Sequence, residues 1–207
     1  MRLRSEIERV FGGHAFHRPL FYGYPGGLRF ELSEGGAAID QLLLAIRKAR
    51  EICGAIFDDQ RPIVSCLRMR ADSSALAHRR VLRELRAAGI KIPRAKCIWL
   101  EAVPPDERCD DEVEEFWVNV AFEAPTEVLQ CLLWCAFAGD LGSIRPRPAC
   151  AIYLFELAKA VMVFPYDDRG MDVVGPNHAL LSELYRRFNS YLLDYDRAAM
   201  ERSFEPP

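Results

Sequence analysis

An α+β fold, with a mixed or mostly antiparallel sheet packed by several helices and a C-terminal amphipathic helix, is what the sequence predicts. Three observations predict it. Short alternating apolar segments are interleaved with helical stripes but follow no regular βαβ period. Two apolar runs, Ala149 to Phe155 and Ala160 to Phe164, are separated by only Glu156-Leu157-Ala158-Lys159, the spacing of a strand pair. A 207-residue chain that is 50% hydrophobic can bury one sizeable core, which points to a single domain over residues 1–207.

Taken in order, Leu3, Ile7, Val10 and Phe11 share a helical face that Gly12-Gly13 ends. An aromatic-rich segment from Phe16 to Tyr24 runs into the turn Pro25-Gly26-Gly27, and Leu28-Arg29-Phe30-Glu31-Leu32 alternates as a half-buried strand does. Ile39, Leu42, Leu43, Ile46, Ala49, Ile52 and Ile56 trace a long helical stripe, with Arg47, Lys48, Arg50 and Glu51 on other faces. Pro62 to Met69 reads as a strand. Asp72-Ser73-Ser74 offers caps for a helix that runs to Gly89, and Ala95 to Leu100 reads as a strand.

The polar, proline-containing loop at 103–112, which includes Asp110, Asp111 and Glu112, is the one candidate sub-boundary. Phe116 to Phe122 alternates again. Thr126 to Ala138 is apolar on every face and predicts a buried helix. The last helix is expected from about Asn177 towards Met200, with Leu181, Leu184, Phe188, Tyr191 and Tyr195 on its apolar face.

Composition narrows the function classes. A net charge of −3 and 28% charged residues describe an ordinary globular chain. No apolar run reaches the ~20 residues of a membrane span, and the N-terminus lacks the apolar core of a secretory signal, so a cytoplasmic protein without membrane partners is expected. The seven cysteines include no C-x-x-C pair and sit mostly in apolar runs, as buried reduced thiols do. Cys131 and Cys135 share a helical face but have no histidine near them, which disfavours a metal site. No Gly-rich phosphate loop or nucleophile elbow is present, and no cofactor is implied.

Charge is segregated. Residues 66–96 carry nine basic side chains against Asp72 and Glu84, whereas residues 101–127 carry ten acids against Arg108. The helical arginine row Arg79, Arg80, Arg83 could face nucleic acid, but the acidic neighbour and negative net charge argue against that partner.

The densest polar feature is Tyr166-Asp167-Asp168-Arg169-Gly170-Met171-Asp172. A tight turn at Arg169-Gly170, with positive φ at Gly170, would let Asp168 and Asp172 converge. Such a site has three readings. Asp167, Asp168 and Asp172 could hold a divalent metal, with Asp168 and Asp172 as the catalytic acids and His178 as base. The turn could instead bind a partner, Asp167, Asp168, Arg169 and Asp172 acting with Asp194, Asp196 and Arg197. Or it could be a structural lock, Arg169 pairing with Asp194 or Asp196 and Arg197 with Asp167 or Asp168.

Phe164-Pro165-Tyr166-Asp167-Asp168-Arg169-Gly170-Met171-Asp172, followed by Leu192-Leu193-Asp194-Tyr195-Asp196-Arg197 and Phe204, resembles the C-terminal signature of an uncharacterised bacterial family, a domain of unknown function with a D-D-R-G motif. The resemblance is strong over 127–204, where Leu132-Leu133-Trp134, Asp140-Leu141 and Pro146 join the pattern, and loose before it, where Leu28 to Leu32 matches. It implies a bacterial, cytosolic protein and assigns no catalytic residues. The leading expectation is therefore a non-enzymatic protein-binding module, an immunity-type protein that occludes a basic toxin domain with its acidic surface. The alternative is a metal-dependent hydrolase built on the Asp-rich turn.

Overall fold

A computed structural model describes residues 2–13, 15–16, 19–71, 77–104, 115–142 and 144–204. Its frame is a seven-stranded sheet. The strands are β1 (Leu28–Glu31), β2 (Ile63–Ala71), β3 (Cys97–Ala102), β4 (Phe116–Ala124), β5 (Ala151–Glu156), β6 (Val161–Asp167) and β7 (Gly170–Val174). Their order is β1-β7-β6-β5-β2-β4-β3, and every neighbouring pair is antiparallel. The fold is thus α+β, on the antiparallel side of the expectation.

Period-2 alternation sorts the strand residues onto two buried faces. On one face, Leu67, Val120, Phe122, Leu154 and Val163 pack against α3 (Ala38–Ile56), α4 (Ala77–Ala87), α5 (Leu129–Phe137) and α6 (His178–Arg187). On the other, Cys66, Trp99, Tyr153, Phe155 and Phe164 meet α1 (Arg2–Phe11) and Leu20 of the short helix α2 (Leu20–Gly23). Burial of both faces explains why β5 and β6 read as continuous apolar runs. Cys53, Cys66, Cys97 and Cys135 are buried free thiols. No helix among the described residues is long and apolar enough to cross a membrane.

Two segments depart from the expectation, and both shape the site. The Asp-rich stretch is a β-hairpin: its turn is at Asp168-Arg169, and Gly170–Val174 forms β7, seated between β6 and β1. Gly170 does not have a positive φ. Glycine is needed there because a Cβ would overlap the Tyr166 hydroxyl.

The predicted last helix is the second departure. It ends as α6 at Arg187, passes through 3₁₀ turns at Asn189–Tyr191 and Asp194–Asp196, and resumes as α7 (Arg197–Phe204). The break buries Leu192, which bridges to Phe30, while the Leu193 amide donates to the Arg29 carbonyl at 2.9 Å. Helical spacing of apolar residues continues across the break, which is why the sequence reads as one helix. Tyr195, expected on the apolar face, is 86% exposed. Asp194 and Asp196 precede α7, where acids suit the helix dipole instead of opposing it. The Asp72-Ser73-Ser74 cap and most of the 103–112 loop, including Asp110, Asp111 and Glu112, lie outside the described residues.

Candidate functional site

The β1–β7 register sets Arg29 directly opposite Asp172. Arg29 Nε donates to Asp172 Oδ1 at 2.8 Å and Nη2 to Oδ2 at 3.1 Å, a bidentate fork. Its remaining nitrogen, Nη1, donates to Asp196 Oδ2 at 3.1 Å. Asp172 also accepts the Phe21 amide at 3.2 Å, and Tyr22 donates its hydroxyl to Asp196 at 2.7 Å. The guanidinium carbon lies 5.0, 5.1 and 5.9 Å from the ring centroids of Phe21, Tyr22 and Tyr166. One arginine thereby ties together β1, β7, α2 and the turn before α7.

Both carboxylates are buried, Asp172 at 1% and Asp196 at 5% exposure. Burial pushes the Asp172 carboxyl above the usual aspartate range, and the hydrogen bonds and charge of Arg29 offset part of that. Burial works against the Arg29 guanidinium too, but hydrogen bonds to Asp172 and the negative charge around it raise it above its ordinary value. The Tyr166 hydroxyl is held well above its usual range, first by burial and then by the Asp172 charge. The cluster is a saturated, low-dielectric ion network.

The other residues singled out in the sequence have separate partners. Asp167 accepts the amides of Arg169 and Gly170 at 2.9 and 3.1 Å and pairs with the Arg169 guanidinium, closing the hairpin turn on itself. Arg169 therefore does not reach Asp194 or Asp196. Arg197 pairs with Asp194 at 2.8 Å and does not reach the hairpin acids. Asp168 is buried at the turn. His178 lies within hydrogen-bond distance, 3.0 Å, of the Ser203 carbonyl and stacks on Phe204, joining α6 to α7. Among the described residues, no group of three or more His, Cys, Asp or Glu side chains is placed to hold a metal ion.

Beside the network opens a cleft of about 730 Å³ lined by Leu20, Arg70, Trp117, Phe164 and Tyr166, with Arg29 and Asp172 at its wall. Arg70 and Trp117 are direct cross-strand partners, with the guanidinium 5.2 Å from the indole ring, and Arg70 pairs with Glu115 at 3.5 Å. Trp117 Nε1 is buried and has no acceptor among the described residues. Further along the same face, Arg68 lies between the rings of Phe16 and Trp117 and bonds Asn119 and Glu101. Sequence reasoning missed Arg29, Arg70 and Trp117. An aspartate inside Met171-Asp172-Val173-Val174 was the available signal, since an acid in an apolar strand requires a buried cation.

A family model described as Domain of unknown function (DUF3885) matches residues 3–196, well beyond the stretch that carries the motif resemblance. No curated protein and no solved structure matches the chain.

Proposed function

The chain belongs to the DUF3885 family, and we propose that it is a protein-binding module that engages its partner through the Arg70–Trp117–Tyr166 cleft. The observation that carries this reading is the unanswered Trp117 Nε1 donor in a cleft built from aromatic rings and arginine. Buried donors without acceptors are costly, and a partner that inserts a carbonyl or carboxylate would relieve the cost. Tyr, Trp and Arg are also the residue types that dominate binding energy at interfaces. Tyr22 and Tyr195, 57% and 86% exposed, add open aromatic surface at the Arg29 network.

The Asp-rich turn contributes rigidity to this surface and little open negative charge. Asp172 and Asp196 are answered by Arg29, and Asp167 by Arg169. In its fuller form, the proposal is an immunity-type protein that neutralises a toxin domain by occluding it.

The test is a pull-down with the tagged full chain from its native cells, washed at low and high salt, in parallel with Trp117→Phe and Tyr195→Ala. Trp117→Phe removes the donor while keeping most of the ring. Both variants should retain the wild-type melting temperature and lose the partner. Co-production with wild type, and not with the variants, should then rescue cells from the captured protein. A partner held equally by all three proteins would overturn the cleft assignment, and captured proteins without toxicity would overturn the immunity form.

A further inference from the structure

We infer that a second cavity, away from the Arg29 network, is a binding site for the phosphate group of a small ligand. The cavity holds about 320 Å³ and is lined by Arg80, Arg145 and Arg147 against a single acid, Glu84; Arg70 also borders it, but its guanidinium lies 5.2 Å from the Trp117 ring and pairs with Glu115. Arg80 and Glu84 come from α4, and Arg145 and Arg147 from the segment after α5. Two separate segments thus bring arginines to one concavity.

No carboxylate among the described residues neutralises Arg80, Arg145 or Arg147. Glu84 uses Oε2 to accept the Arg147 backbone amide at 3.1 Å, and it forms no ion pair with a described residue. Arg147 Nη1 donates to the Gly139 carbonyl at 3.3 Å, which positions the side chain without neutralising it. Arg80 and Arg145 form no ion pair with a described residue and are exposed. Three guanidiniums against one carboxylate leave net positive charge, and an anion in the cavity compensates it while forming charge-assisted hydrogen bonds. The planar fork of arginine matches the oxygens of phosphate, and a bounded cavity favours a compact group over an extended chain. Val81, 4% exposed, adds an apolar wall suited to the body of a ligand that carries the phosphate. This site touches the protein-binding cleft only through Arg70, which R80Q/R145Q leaves intact.

Inorganic pyrophosphate and a short single-stranded oligonucleotide are the probes, titrated into the full chain by calorimetry at constant ionic strength. Three proteins are compared: wild type, R80Q/R145Q, and R79Q/R83Q, which removes two exposed arginines of α4 that do not line the cavity. Pyrophosphate should bind wild type and R79Q/R83Q alike and raise their melting temperatures. R80Q/R145Q should weaken it by about ten-fold or more, the size of lost charge-assisted hydrogen bonds. Its melting temperature without ligand should match or exceed that of wild type, which separates lost binding from misfolding. Absence of pyrophosphate binding, equal weakening in both double variants, or binding of the oligonucleotide alone would overturn the assignment.

Discussion

Arg29 and the arginines of the α4 cavity place the same side chain in opposite circumstances. Arg29 is 15% exposed, directs three nitrogens at two carboxylates and lies near three aromatic rings. Arg80 and Arg145 face solvent beside other arginines, and the one acid near them is occupied by a backbone amide. A saturated charge network organises structure, because every hydrogen-bonding atom is committed to holding elements in place. An unsaturated one represents binding capacity. The difference lies in the partners, and it is invisible in residue type or local charge density.

Removing the saturated arginine should produce the largest effect. Arg29→Met leaves two buried carboxylates without their cation and should cost about 3–5 kcal/mol, the usual penalty for breaking a buried pair from one side. For a chain of this size each kcal/mol lowers the melting temperature by about 2–4 °C. Urea denaturation of Arg29→Met beside R80Q/R145Q checks the contrast directly. Similar losses in the two would collapse the distinction between network and cavity.

Gly170→Ala is expected to come next, at about 1–3 kcal/mol, the range for overpacking. The added methyl would collide with the Tyr166 ring, whose position beside Arg29 depends on the absence of a Cβ in β7. The mutant's melting curve measures the loss. A second mutation, Tyr166→Ala, should remove most of the added cost, because it deletes the colliding group.

How far the sequence disclosed these features depended on the range of the interactions involved. β2, β4, β5 and β6 were legible because period-2 alternation or a continuous apolar run is a local signal, and α3 because its stripe repeats over five turns. β7 was not. Only five residues long, and opened by glycine after two turn residues, it resembles the tail of a turn until β6 and β1 flank it. The site was legible in its acids and not in their partner. Asp172 stood out, but Arg29 is 143 residues away and looked like an ordinary outward residue of an alternating strand. The cavity was hidden for the same reason: the arginine row of α4 was visible, whereas its convergence with Arg145 and Arg147 is a product of tertiary folding.

The Arg68–Glu101 pair supplies a further saturated contact, and pH tests it. Burial opposes the Glu101 carboxylate, but hydrogen bonds from Arg68 and from Trp99 outweigh this and hold it below its ordinary value of 4.5. A carboxyl with a depressed folded-state value stabilises the fold above its unfolded value, and that contribution is lost as pH falls through the folded one. Stability measured by urea denaturation should therefore decline as pH drops below about 4.5, with Glu101→Gln showing a shallower decline. Arg80 and Arg145 form no carboxylate pair among the described residues, so R80Q/R145Q should keep the wild-type pH slope.

The smallest effect is expected at the most conspicuous residue of the sequence motif. Arg169 is 73% exposed and pairs across its own turn with Asp167, so Arg169→Ala should change stability by no more than about 0.5 kcal/mol. Asp167→Ala should cost more, about 1 kcal/mol, because it strips the acceptor from two turn amides whether or not the arginine is present. Chemical denaturation of both single variants and the double variant checks this ordering. If the network reading is right, the double variant should cost little more than Asp167→Ala alone. A large loss in Arg169→Ala would instead mean that Arg169 supports the fold beyond its own turn, and the contrast between committed and uncommitted arginines would have to be redrawn around it.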